Sequence, residues 1–241
     1  MNSPRHAFAS TLCALVVVGA AALAASRGQQ PAAAQPAPAR PPAASLARPA
    51  SAFKAPDAAG FIRRWLVLEP IGVSNQLTES AVQAAVKEHA VDRSGTIPRD
   101  GQTAAGGDNS LTWHAVDTLA YNVNLFHFAY ALHKPTSNVL FWAATVVHAP
   151  RDLPGVRLAI GSNAASVWWL DGEEVIALYN DRQTVIDDGV SRRVTLKKGP
   201  NVVRAAIVNA GGATDFCARF IDEDGNPVKG LTVSLAAGAS P

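Results

Sequence analysis

Ser166-Val167-Trp168-Trp169-Leu170-Asp171-Gly172-Glu173-Glu174-Val175-Ile176-Ala177-Leu178-Tyr179 is the stretch that decides the fold class. Two runs rich in β-branched, aromatic and aliphatic residues flank an Asp-Gly pair. That pair suits a two-residue hairpin, because both central residues of such a turn take positive φ. The segment therefore predicts strand, tight turn, strand.

The same grammar continues on both sides. Residues 156–160 predict a strand upstream, and 191–196, 201–209, 215–221 and 231–235 predict strands downstream. Lys198-Gly199-Pro200-Asn201 and Asp224-Gly225-Asn226-Pro227 punctuate them with turn residues. Residues 121–133 and 138–148 are apolar on both parities around Lys134-Pro135-Thr136-Ser137, which predicts a hairpin buried on two sides. Centred near Thr136, that hairpin sets His127 opposite Thr145 and His133 opposite Val139, so no two imidazoles pair. Residues 57–70 open with an apolar run ended by Pro70 and predict the first strand. Residues 78–90 predict one helix: Thr78 caps it, Glu79 lies in its first turn, and Val82, Ala85, Val86 and His89 fall at helical spacing. Residues 92–110, rich in Gly, Asp and Pro, predict a long surface loop. About nine strands with one helix near the start indicate an all-β domain, a jelly-roll β-sandwich.

The amino-terminal region reads differently. Arg5 precedes an apolar run from about Ala14 to Ala25, and Ala22-Leu23-Ala24 fits a signal-peptidase site, so residues 1–24 are expected to be a signal peptide. The alternative is an uncleaved anchor, which would be this chain's one route to a membrane. Between residues 25 and 54, 17 of 30 residues are Ala or Pro and none is acidic. Such composition cannot offset its ordering entropy by burial and predicts a tether with up to roughly 90 Å of reach. The folded domain is expected over 55–236, with a short tail at 237–241. Export to the periplasm or the medium follows.

Charge excludes one class of partner. The chain carries 21 Lys and Arg against 19 Asp and Glu, but Arg5, Arg27, Arg40, Arg48 and Lys54 all precede residue 55. The remaining 16 basic and 19 acidic residues leave the domain at net −3, with no electrostatic footprint for nucleic acid. Cys217 is the one cysteine beyond the leader, so no disulfide is expected within the domain and burial must stabilise it.

The order of motifs resembles a group of exported bacterial jelly-roll modules with a galactose-binding-domain-like fold. Trp65-Leu66-Val67-Leu68-Glu69-Pro70 resembles their "WLVLGPF" opening, and Leu111-Thr112-Trp113 sits where they place a Trp after a Gly-rich loop. Gly161-Ser162-Asn163-Ala164-Ala165-Ser166-Val167-Trp168-Trp169-Leu170-Asp171-Gly172 is similar to "GSDDGVKVWLNG". Leu196-Lys197-Lys198-Gly199-Pro200-Asn201 follows "L-x-K-G-x-N", and residues 216–227 follow "F-x-x-R-x-x-D-x-D-G-x-P". The resemblance implies that Trp168 faces inward and Trp169 outward. One departure stands out: Asn163-Ala164 replaces the acidic pair of those modules, so any cation or hydroxyl contact made by that pair is weakened here.

Catalytic constellations are poorly represented. The chain has no G-x-S-x-G elbow and no histidine after His148. Glu173-Glu174 and Asp187-Asp188 are adjacent pairs near turns, whereas paired catalytic carboxylates must converge across a substrate. Asp222-Glu223-Asp224-Gly225-Asn226 alternates oxygen ligands in a calcium-like way but also makes an ordinary hairpin turn. No catalytic residue, metal ligand or cofactor is assigned. Binding remains, and aromatic rings beside polar groups suit sugars. Trp169, Tyr179, Asn180 and Arg182 are the expected ligand-binding residues, the alternative for Trp169 being that the helix or a loop covers it and it only packs, with Trp65, Trp113 and Trp142 in the core. The expected partner is carbohydrate or a glycoconjugate; the alternative is a structural or accessory subunit docking onto an envelope or secreted assembly.

Overall fold

The computed structural model describes residues 46–91, 96–106, 109–236 and 238. The expected signal peptide, the expected tether as far as residue 45 and the rest of the carboxy-terminal tail lie outside the described residues. Among the described residues, two antiparallel sheets form a β-sandwich. The larger runs β1 (Leu46–Ala47), β5 (Asn109–Thr118), β2 (Arg64–Leu68), β7 (Val139–Ala149), β13 (Gly199–Asn209), β9 (Ala165–Leu170) and β10 (Glu173–Leu178). β3 (Ile71–Gly72) and β15 (Thr232–Ser234) also pair with β7, and β4 (Thr103–Gly106) pairs with β5. The smaller sheet runs β11 (Gly189–Val190), β8 (Leu153–Ser162), β14 (Asp215–Ile221) and β6 (Val123–Asn124), with β12 (Val194–Leu196) on β8. The chain passes repeatedly from sheet to sheet, as at β7 to β8 to β9 and again at β13 to β14 to β15.

The spine is β7, whose eleven residues are all buried. β13 matches it residue for residue from Gly199↔Ala149 to Asn209↔Val139. On its other side β3, β2 and β15 follow one another along its length. This explains a run apolar on both parities: both faces of β7 are covered. The inner face packs on the smaller sheet around Trp65, Trp168 and Phe216, whose rings meet edge-on with centroids 5.0–6.1 Å apart. The outer face carries a second core of Leu66, Leu68, Trp113, Trp142, Val167 and Trp169 under the helix α1 (Glu79–Glu88), which contributes Val82 and Val86.

Three expectations change. Residues 121–133 are not a long strand: they form β6 and then a second helix, α2 (Leu125–Ala131). Asn124 caps α2, its side chain accepting from the His127 N–H at 2.7 Å, and Leu125, Phe128 and Ala129 bury one face. A seven-residue run with His127 as its one charged-type side chain fits a buried strand or a buried helix equally well by periodicity, and the cap decides between them. β13 on one side and β3, β2 and β15 on the other therefore flank β7 where the expected hairpin partner was placed, and His127 and His133 do not oppose Thr145 and Val139. The second change is at residues 92–110, where β4 pairs with β5 instead of forming an open loop. Part of that loop, residues 92–95 and 107–108, lies outside the described residues.

The third concerns the domain boundary. Of the expected tether, residues 46–54 lie on the sandwich. Leu46 and Ala47 pair with Thr118 and Asp117, and the Arg64 guanidinium donates to the Ser51 carbonyl at 2.8 Å. Lys54 and Val233 exchange two backbone hydrogen bonds. Composition missed this because every one of those partners comes from elsewhere in the chain. The Asp171-Gly172 reading holds: their φ angles are +50° and +87°, and β9 and β10 pair around them. Strands 215–221 and 201–209 also lie where expected.

Candidate functional site

At one end of the sandwich, three connections converge on an open cleft of about 490 Å3. Its walls are Asn75, Leu77 and Thr78 from the link between β3 and α1, Asn180 and Asp181 after β10, and Ala210 and Gly211 after β13. The backbone here is fixed. Asn180 takes φ +69°, a left-handed conformation that Asn tolerates, and its N–H donates to the Leu77 carbonyl at 2.8 Å. Among the described residues, no partner meets the side chains of the exposed Asn180 and Asp181. An amide and a carboxylate thus stand side by side on a rigid frame with their hydrogen-bonding capacity unspent.

The four expected ligand-binding residues occupy different layers of this end. Asn180 is on the cleft wall. Tyr179 lies half-buried behind it, its hydroxyl accepting from Gln83 Nε2 of α1 at 2.8 Å. Arg182 is held by Asp188 through its Nε at 3.0 Å and through Nη2, and its carbonyl accepts from the Ala164 N–H. It braces the loop and does not line the cleft. Trp169 is 1% exposed and packs against Trp142 with ring centroids 5.4 Å apart. It faces outward from the sandwich, opposite to Trp168, but α1 covers that face, so the ring presents no surface to a ligand. Asp181, Asn75 and Thr78 were not singled out in the sequence, because only the fold brings residues 75–78, 180–181 and 210–211 together.

The replaced acidic pair lies nearby. Ala164 is buried at φ +64° and the Asn163 N–H donates to the Asp215 carbonyl. The Asp215 carboxylate is engaged by Asn122 Nδ2 and Thr184 Oγ1. Most of the other acidic groups weighed above are also committed. Asp187 binds Arg219 and Asp188 binds Arg182, so that pair is split between two arginines. Glu173 faces Arg192. The Asp222 carboxylate accepts the N–H groups of Asp224 and Asn226 at 3.0 and 2.8 Å, closing the turn. Among the described residues, no three His, Cys, Asp or Glu side chains converge on a metal-sized site.

A second concavity, about 540 Å3, opens on the outer face of the larger sheet. Leu68, Ile71 and Trp113 floor it, and Glu88, Ala90, Gln102 and Arg204 contribute to its walls. On the smaller sheet, Val185 and Ile186 are 56% and 46% exposed on a loop pinned by the Arg219–Asp187 pair. No helix among the described residues is long and apolar enough to cross a membrane.

No family model matches the sequence, and no curated protein does. Solved structures give distant likenesses. The PA14 sugar-binding domain from an RTX adhesin is 14% identical, covering 69% of this chain and 94% of its own, with a TM-score of 0.40. The PA14 domain of the antifreeze protein MpAFP is 13% identical over 76% and 92%, with a TM-score of 0.41. A β-glucosidase from Kluyveromyces marxianus, in complex with glucose, is 17% identical over 51% of this chain and 16% of its own, with a TM-score of 0.36. All three scores fall below 0.5, so the description of the fold stands on the strand pairings above.

Proposed function

We propose that the chain is an exported, non-catalytic binding domain that recognises carbohydrate or a glycoconjugate at the strand-end cleft. The observation that carries this reading is the pair of unspent side chains, Asn180 and Asp181, on a backbone fixed to Leu77. Neighbouring sugar hydroxyls each donate and accept, and an adjacent amide and carboxylate can meet both roles. Tyr179 and Arg182 act as positioning residues, one tying the cleft to α1 and the other holding the β10–β11 loop. The motif order supports kinship with galactose-binding-like modules, while Asn163-Ala164 supports recognition without a bound cation.

The test is a glycan array probed with the exported protein, followed by titration of the hits. Asn180→Gly, which keeps the positive φ, and Asp181→Ala should each weaken binding by about tenfold, the worth of one charge-assisted or two neutral hydrogen bonds, with little change in melting temperature. Full affinity in both variants would remove the cleft from consideration. A second reading, an accessory subunit of an envelope or secreted assembly, is favoured by the exposed Val185 and Ile186. It predicts a partner that co-purifies from the native host and is lost on Ile186→Asp.

A further inference from the structure

Resting on the glycan reading above, we propose that the strand-end cleft is one end of a longer trough, which takes a linear, uncharged glycan chain across several sugar units. A further concavity of about 670 Å3 adjoins the cleft, between α1 and the turn that leads into β7. The two share a seam. Ser74 lines one and its neighbour Asn75 the other, and a β-carbon on Gly211 of the cleft would stand 3.7 Å from Ser137 Oγ of the concavity. Residue 211 has no side chain to close that seam. The walls are fixed along the whole length. The Val73 N–H donates to the Asn138 carbonyl at 2.8 Å. Asn209 ties the two turns together, its Nδ2 donating to the Thr136 carbonyl and its Oδ1 accepting from the Gly211 N–H. At the far end of α1, Trp142 Nε1 holds the His89 carbonyl. A trough formed before its ligand arrives loses less ordering entropy on binding.

The polar groups of the concavity continue the pattern of Asn180 and Asp181. Ser74, Ser137 and Asn138 are exposed, and among the described residues no partner meets their side chains. Hydroxyls and an amide both donate and accept, as sugar hydroxyls do, and here they recur along the trough instead of gathering at one point. Val73, Ala84 and Pro135 add apolar surface for the C–H faces of a sugar ring. Each of the two volumes falls within the usual range for a small-molecule site, about 300–1,000 Å3, so together they have room for a chain. Charge selects within the class. Asp181 lines one end and Glu88 the other, and among the described residues neither concavity is lined by Lys or Arg. A uronic acid or sulfated sugar would meet like charge at both ends, which weakens binding.

The experiment titrates the full chain by calorimetry with gluco-, manno-, galacto- and N-acetylchito-oligosaccharides of one to six units, and with oligogalacturonates as the anionic counterpart. At least one neutral series should bind, its affinity rising by at least about tenfold from one unit to six, the worth of one or two added hydrogen bonds. Oligogalacturonates should bind at least about tenfold more weakly than that series. Asn138→Gly, which keeps the positive φ, combined with Ser74→Ala should cancel most of the rise with length. Gly211→Gln, at a φ outside the left-handed range, fills the seam and should cancel it too. Asp181→Ala should weaken every length. A full rise with length in the double variant or in Gly211→Gln would overturn the proposal, as would oligogalacturonates binding as tightly as the neutral series. An affinity level from one unit to six, yet lost in Asp181→Ala, would overturn the trough and leave the glycan reading standing. No binding at any length would remove both.

Discussion

Gly161 lies so close under the loop that follows β10 that a β-carbon there would stand 2.1 Å from the Val185 carbonyl oxygen and 3.1 Å from Cys217 Sγ. The obstacle at 2.1 Å is backbone, so Gly161→Ala must displace the loop. We expect a loss of about 1–3 kcal/mol in denaturant unfolding, the usual cost of overpacking, together with weaker glycan binding because Arg182 belongs to the same loop. Cys217 lies below, its thiol pushed up to about 12 by burial. It should resist alkylation at pH 8 in the folded protein and react only as denaturant opens it. The unfolded chain gives up that proton first, so stability should fall as pH rises above the ordinary thiol range. Trp169→Ala removes a fully buried ring and should cost about 3–5 kcal/mol by the same unfolding measurement. The alternation that sends Trp168 and Trp169 to opposite faces was legible in the sequence. What covers the second face was not, since α1 lies some eighty residues upstream.

α2 shows where element-level reading stopped. Leu125 to Ala131 has no internal polar residue except His127 to set a period, and Asn124 reads equally well as a strand residue or a cap. Once folded, the Asn124 side chain holds the His127 N–H, and removal of that cap should cost about 1 kcal/mol in Asn124→Ala. A stability unchanged within a few tenths would show that tertiary packing alone holds α2. α1, by contrast, was legible over nearly its whole length, because its buried Val82 and Val86 stand one turn apart with Gln83, exposed Ala84 and half-buried Ala85 between them. The Asp171-Gly172 hairpin was legible for a different reason: its turn chemistry is local. The strand-end cleft was only partly legible. Asn180 could be picked from the sequence, but its companions Asn75, Thr78 and Gly211 are brought in by two other connections.

Over the whole molecule, a few buried polar groups couple the chain ends to the sheets. Asp117 is raised by burial, but the hydrogen bonds from Arg64 and Lys54 outweigh this and hold its pKa below the ordinary carboxylate value. Glu69 behaves likewise, burial being outweighed by Lys134 and His114. His148, buried against Ser234 and Phe53, is pushed down by burial alone. All three signs agree. The unfolded chain takes up protons first, so stability is present at neutral pH and lost on acidification. The loss should begin below the ordinary imidazole pKa with His148 and steepen below the ordinary carboxylate values. Denaturant unfolding from pH 7 to pH 2 should show both limbs, and His148→Gln should remove the first. The packing of residues 46–54 has a mechanical consequence. Where Lys54 and Val233 meet, two backbone hydrogen bonds of 2.9 and 2.8 Å join the incoming and outgoing chain side by side. Tension applied between those two points loads this short clasp first. Such a domain can ride in a stretched polypeptide as a side-mounted bead for as long as the clasp holds, and only when it parts does the load pass into the sandwich.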